Sequence, residues 1–152
     1  MGAGPGLCSI ALAQLGAQQV TLTDGDWSVV ELAAANVALN AVDVHVRVLR
    51  WGCESEEATA VYEAAAASTI VASDVLYDSE NIGLLEQTLR ALIGRGGVRH
   101  VVLGWRERGQ DEETFFERLH DLGTSRVARC ATNSAGRRKG VSVLTVRETG
   151  SS

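Results

Sequence analysis

Apolar and polar positions alternate over residues 44–48, where Val44, Val46 and Val48 interleave with His45 and Arg47. That pattern predicts a strand with one wet face, close to a sheet edge. Residues 20–24 (VTLTD) read as a short strand ending in an acid. Ser28 with Glu31 three positions on makes a capping box, so a helix is expected to begin there. Val30, Ala33, Val37 and Ala41 then fall on one face of it. Residues 69–73 (TIVAS) and 101–103 (VVL) are compact apolar runs suited to strands covered on both faces. Ile82, Leu85, Leu89, Leu92 and Ile93 give a helical stripe that Gly94 stops. Phe115, Phe116 and Leu119 belong to a helix ending near Gly123. Residues 127–131 and 141–146 read as an antiparallel hairpin joined through 133–140, and the alanines at 64–67 as a helix end. Strand and helix alternating around apolar strands predicts an α/β fold, a mostly parallel sheet with a C-terminal antiparallel hairpin.

Composition narrows the class. The 152 residues are 45% apolar and 22% charged, which excludes disorder of the whole chain and suits one domain. No apolar run approaches the roughly 20 residues of a membrane span, and no basic segment precedes an apolar one at the start. Neither a membrane nor a secretory route is expected. A formal charge of −5 argues against general nucleic-acid binding. Cys8, Cys53 and Cys130 are too few and too scattered for a disulfide framework, which suits a reducing compartment. The cytoplasm is the expected location, with the nucleus as a second. His45, His100 and His120 show no metal-ligand spacing. Cys8 reads as a packing residue, as do Trp27 and Trp105. The basic trio Arg137-Arg138-Lys139 reads as a solvated turn in the last hairpin.

The chemical signal stands at the start. Gly2-Ala3-Gly4-Pro5-Gly6 is a glycine loop directly before a helix expected over residues 5–15. Glycines let backbone N–H groups approach a ligand, and a helix N-terminus adds favourable dipoles. About 20 residues on, Asp24 ends a strand, where a carboxylate can accept hydrogen bonds from both ribose hydroxyls. Together they point to a nucleoside cofactor at the carboxyl ends of the strands. Leu7 stands where a dinucleotide fingerprint needs its third glycine, so the loop suits a cofactor without a pyrophosphate.

These residues resemble a class I S-adenosylmethionine-dependent methyltransferase. More narrowly, they resemble methyltransferase family 16, which includes protein-lysine methyltransferases. The match runs through Gly2-Ala3-Gly4-Pro5-Gly6-Leu7, Val20-Thr21-Leu22-Thr23-Asp24 and Ala35-Asn36-Val37-Ala38-Leu39-Asn40. It continues with Val48-Leu49-Arg50-Trp51-Gly52 and Ala72-Ser73-Asp74-Val75-Leu76-Tyr77. Trp-Gly after one strand and Asp-x-x-Tyr after the next are its more specific parts.

The resemblance implies a Rossmann-like sheet, S-adenosylmethionine as cofactor, and methyl transfer to a lysine side chain of a protein substrate. It places Gly2, Ala3 and Gly4 along the methionine part of the cofactor, Asp24 at the ribose, and Trp51 and Ser73 at the adenine. Asp74 and Tyr77 fall where the target amine enters. Taken alone, Trp51 reads equally as a plug at the sheet edge, Asp74 as a helix N-cap and Tyr77 as a core edge. Asp78 and Ser79 are equally good caps. The mechanism expected is positioning of a neutral amine in line with the methyl group, without metal or covalent intermediate. In the family a strand reading acid-Leu-Gly precedes the glycine loop, and Met1 stands at the leucine position here. The resemblance therefore implies a single domain over 1–148, N-terminally truncated, with its first strand missing or incomplete, and a frayed tail at 149–152. That strand is central, and leaving its neighbours' backbone groups unpaired costs on the order of 1–3 kcal/mol each. The alternatives are methylation of a small molecule or another side chain, and a non-catalytic binding module that keeps the shell. A monomer is expected.

Overall fold

A computed structural model describes residues 1–53, 56–64, 67–95, 97–108, 112–132 and 138–147. The chain forms two compact units, Met1–Ala65 and Ala66–Ser152.

In the first unit, α1 (Leu7–Gln14), β1 (Thr21–Asp24), α2 (Trp27–Leu39), β2 (His45–Val48) and α3 (Glu56–Ala64) follow one another. Strands β1 and β2 pair in parallel from Thr21↔His45 to Asp24↔Val48. In β2, Val46 and Val48 are half-buried and His45 and Arg47 exposed, as the alternation predicts. Helix α2 packs on both strands and buries Val30, Ala33 and Val37. It starts earlier than the capping box suggests. Asp26 is its N-cap, accepting from the backbone N–H of Ser28 at 2.8 Å and from Ser28 Oγ at 2.7 Å. The helix ends at Leu39, so Ala41, at φ 50°, is not on its stripe. Trp27 heads the helix and is 63% exposed, which removes it from the core. Cys8 is exposed as well, because α1 turns Ser9 and Ile10 inward instead.

The second unit holds β3 (Thr69–Ser73), α4 (Ser79–Gly94), β4 (His100–Arg106), α5 (Glu112–Arg118), β5 (Gly123–Thr132) and β6 (Arg138–Val146). They form a sheet of order β3-β4-β6-β5. Strands β3 and β4 run parallel, while β6 pairs antiparallel with both β4 and β5. The C-terminal hairpin is thus present and longer than the sequence suggests. Arg138 and Lys139 lie in β6, opposite Thr132 and Ala131, and not in a turn. Arg138 is also paired to Glu107 at 3.1 Å. Residues 133–137 of the hairpin connection, Arg137 among them, and the tail at 149–152 lie outside the described residues. Strand β3 buries Ile70 and Ala72 and leaves Thr69 and Ser73 exposed, so it is not covered on both faces along its length. Trp105 is half-buried; its indole donates to Ser142 Oγ at 2.9 Å and leans on Phe116 at 5.6 Å. Among the described residues β1 pairs only with β2, and β3 only with β4.

Helix α4 buries Ile82, Leu85, Thr88 and Leu89. Its N-cap is Asp78, which accepts from Glu80 N–H at 3.1 Å and from Asn81 Nδ2 at 2.6 Å. Asp78→Ala is expected to lower stability by about 1 kcal/mol, the usual worth of an N-cap, read as a fall in the urea midpoint at constant m. An unchanged midpoint would mean that another group caps the helix.

Candidate cofactor and acceptor sites

The glycine loop is built on positive backbone angles. Gly2, Gly4 and Gly6 have φ of 55°, 53° and 97°, a region in which other residues are strained. At Gly6 a Cβ would also lie 3.0 Å from Leu22 Cδ1 in the core, so the loop turns where only glycine fits. The loop is tied to the strand beside it. Ala3 N–H donates to Thr23 O at 3.1 Å, and Gly4 N–H donates to Asp24 Oδ2 at 2.9 Å. Asp24 Oδ1 accepts from Asp26 N–H at 3.2 Å. Asn36 of α2 donates to Pro5 O at 2.8 Å and holds the loop from the helix side.

These contacts leave room for a ligand. A Cβ at Gly4 would meet only open space. Each carboxylate oxygen of Asp24 receives one backbone N–H and keeps further acceptor capacity, as two ribose hydroxyls require. Leu49 N–H donates to Asp24 O at 2.8 Å, so the chain after β2 leaves the sheet beside Asp24. Trp51 follows at this end, half-buried, before Gly52 at φ 69°. The residues present therefore fit the ribose and adenine of a nucleoside cofactor.

In the second unit, Ser73 ends β3 opposite Gly104 of β4. A Cβ at Gly104 would approach Ser73 Oγ to 3.1 Å, so this glycine makes space for the exposed serine. Asp74 N–H donates to Gly104 O at 2.8 Å, and the backbone then turns to φ 59°. A left-handed aspartate is uncommon and draws attention to the site. Val75 and Leu76 are buried and anchor the link, leaving Asp74 and Tyr77 exposed on either side. The helix-cap alternative for Asp74 is removed, because Asp78 caps α4. Tyr77 is 57% exposed, which removes the core-edge alternative.

Asp74 instead meets arginines from the end of β4. Arg108 Nη2 donates to Asp74 Oδ2 at 2.8 Å, and Nη1 lies 2.6 Å from Oδ1 as an ion contact. Nη1 is buried but lacks hydrogen-bond geometry toward any acceptor in the described residues. Arg106 is farther, 3.8 Å from Oδ2. The Arg108 hydrogen bond, outweighing partial burial and helped by both guanidinium charges, holds the Asp74 carboxyl below its ordinary range. Arg106 and Arg108 were not singled out from sequence. The signal available was two basic residues spaced to follow the strand next to an acid-ended one.

The chain belongs to the lysine methyltransferase family, whose model, Methyltransf_16, matches residues 1–122. No curated protein sequence matches it. Among solved structures it is similar to a METTL16 methyltransferase domain, at 12% identity and TM-score 0.70, covering 97% of this chain and 58% of that one. It is similar to a putative tRNA (m1A22) methyltransferase of Streptococcus pneumoniae, at 18% identity and TM-score 0.67, covering 99% and 64%. That bacterial protein has also been solved with S-adenosyl-L-methionine. EvdMO1 matches at 18% identity and TM-score 0.69, covering 96% of this chain and 36% of EvdMO1. The chain thus spans from about a third to two thirds of these structures. Its fold is the Rossmann-like one of class I methyltransferases. Among the described residues, no helix is long and apolar enough to cross a membrane, and no cluster of metal-ligating side chains occurs.

Proposed function

We propose that the protein is an S-adenosylmethionine-dependent methyltransferase acting on a lysine side chain of a protein, built as a single methyltransferase domain. The cofactor supplies a methyl group already activated by a sulfonium. Gly2, Ala3 and Gly4 hold its methionine part, Asp24 its ribose, and Trp51 its adenine. Asp74 and Tyr77 receive the amine. The observation carrying the acceptor assignment is Asp74 itself, exposed, ionised and released from capping at the carboxyl end of β3. An ionised carboxylate accepts a hydrogen bond from an amine N–H, and the Tyr77 hydroxyl can take a second. The lysine ammonium first gives its proton to water, and the pair then aligns the lone pair of the neutral amine without itself needing to gain a proton. Family membership supports lysine as the acceptor.

The test incubates the protein with S-adenosylmethionine labelled in the methyl group and a cell lysate. Label in material sensitive to protease and resistant to ribonuclease, recovered as methyl-lysine after hydrolysis, is expected. Label in RNA or in small molecules overturns the acceptor class and leaves the cofactor assignment standing.

A further inference from the structure

Asp74 stands on a strained residue at the end of a strand, and its carboxylate is more than half exposed. Left alone, such a side chain rotates freely and offers a poorly defined acceptor. The second unit contains a brace against this. Arg108 contacts both carboxylate oxygens, at 2.6 and 2.8 Å, from a position two residues beyond β4. Arg108 is itself tied down, because its backbone N–H donates to Glu112 Oε1 at 2.6 Å. Glu112 is the first residue of α5 and is buried. Glu112, Arg108 and Asp74 therefore form a line from a buried helix start to the exposed strand end.

We propose that Arg108 is a positioning residue for methyl transfer, which fixes the Asp74 carboxylate so that its remaining lone pairs face the incoming amine. The proposal rests on the acceptor role of Asp74 stated above. A planar guanidinium suits the task, because two contacts to a carboxylate set its orientation as well as its position. The carboxylate keeps acceptor sites on each oxygen after both are engaged. Arg106 adds positive charge at 3.8 Å, and Glu112 is the acid facing Arg108. The same contacts keep Asp74 ionised, as an acceptor must be.

Three variants separate the possibilities: Arg108→Met, Arg108→Lys and Asp74→Asn. Each is assayed with tritiated S-adenosylmethionine and lysate protein as acceptor, across pH, and Asp74 is titrated by carbon NMR. Arg108→Met should lower the rate at saturating cofactor about tenfold without changing the KM for S-adenosylmethionine. It should also raise the titration midpoint of Asp74 and move the acid limb of the rate to higher pH. Arg108→Lys, which keeps the charge but loses the planar fork, should hold the midpoint down while recovering only part of the rate. Should Arg108→Met fail to fold, that split in Arg108→Lys decides the matter. Wild-type rate and an unmoved Asp74 midpoint in Arg108→Met, with Asp74→Asn inactive, overturn the positioning role alone. Full activity in Asp74→Asn overturns the acceptor reading on which it rests.

Discussion

Asp24→Ala is expected to weaken binding of S-adenosylhomocysteine at least about 100-fold, read by isothermal titration at neutral pH. Hydrogen bonds to a charged group contribute roughly 1.5–3 kcal/mol each, and about 1.4 kcal/mol is a factor of ten in affinity. Two ribose hydroxyls on one carboxylate account for the expected loss. The structure adds a second contribution. Asp24 Oδ2 holds Gly4 N–H and Oδ1 holds Asp26 N–H, so the alanine variant also frees the glycine loop. A freed loop binds by first becoming ordered again, which weakens affinity further. Asp24→Asn separates the two contributions. Its amide oxygen can keep the Gly4 contact, while its NH2 group offers no acceptor to the second hydroxyl. A loss of about tenfold in Asp24→Asn, against about 100-fold or more in Asp24→Ala, is the expected order. Unchanged binding in Asp24→Asn beside a loss in Asp24→Ala would reduce Asp24 to a brace for the loop, and unchanged binding in both would remove it from the cofactor site.

The sequence shows one half of this arrangement more plainly than the other. The glycine loop and Asp24 are legible because backbone geometry restricts residue choice there. Only glycine tolerates φ of 97° with Leu22 3.0 Å from the missing Cβ, and the acid closes a strand in the expected place. The strands and the α4 stripe are legible for a similar reason, since burial imposes a period. Helix starts are less so. Ser28 and Asp26 are both good caps, and only the hydrogen bonds at 2.7 and 2.8 Å show that the aspartate accepts and the serine donates. Trp27 illustrates the limit of composition, because an aromatic residue at a helix start can face water as readily as core. The Arg108 brace was hidden for another reason. It joins residues 34 apart through the parallel register of β3 and β4, and nothing local in either segment announces the other. Asn36 was visible only as part of a matching segment, and its tie to Pro5 O spans 31 positions.

Substitutions at Asp74 should uncouple stability from catalysis. Asp74→Gly and Asp74→Ala both remove the carboxylate, and each is expected to lower methyl transfer to protein by about 100-fold, the scale of a misplaced reacting group. Their stabilities should differ. At φ 59° an alanine meets the left-handed penalty of about 1–2 kcal/mol, and glycine does not. Asp74→Gly should therefore unfold at a higher urea concentration than Asp74→Ala. Both leave the Arg108 guanidinium without its partner, so that loss cancels in the comparison. The measurement belongs near pH 7. Asp74 titrates below its ordinary value in the folded protein, so the stabilisation from its ion pair is present at neutral pH and disappears as the pH falls through the lowered folded value. The order of the two properties is decisive. A purely structural Asp74 predicts that activity follows stability, with the glycine variant retaining transfer and the alanine variant losing it. An acceptor Asp74 predicts two variants of unequal stability that are equally inactive, because what both lack is the oxygen that aligns the amine.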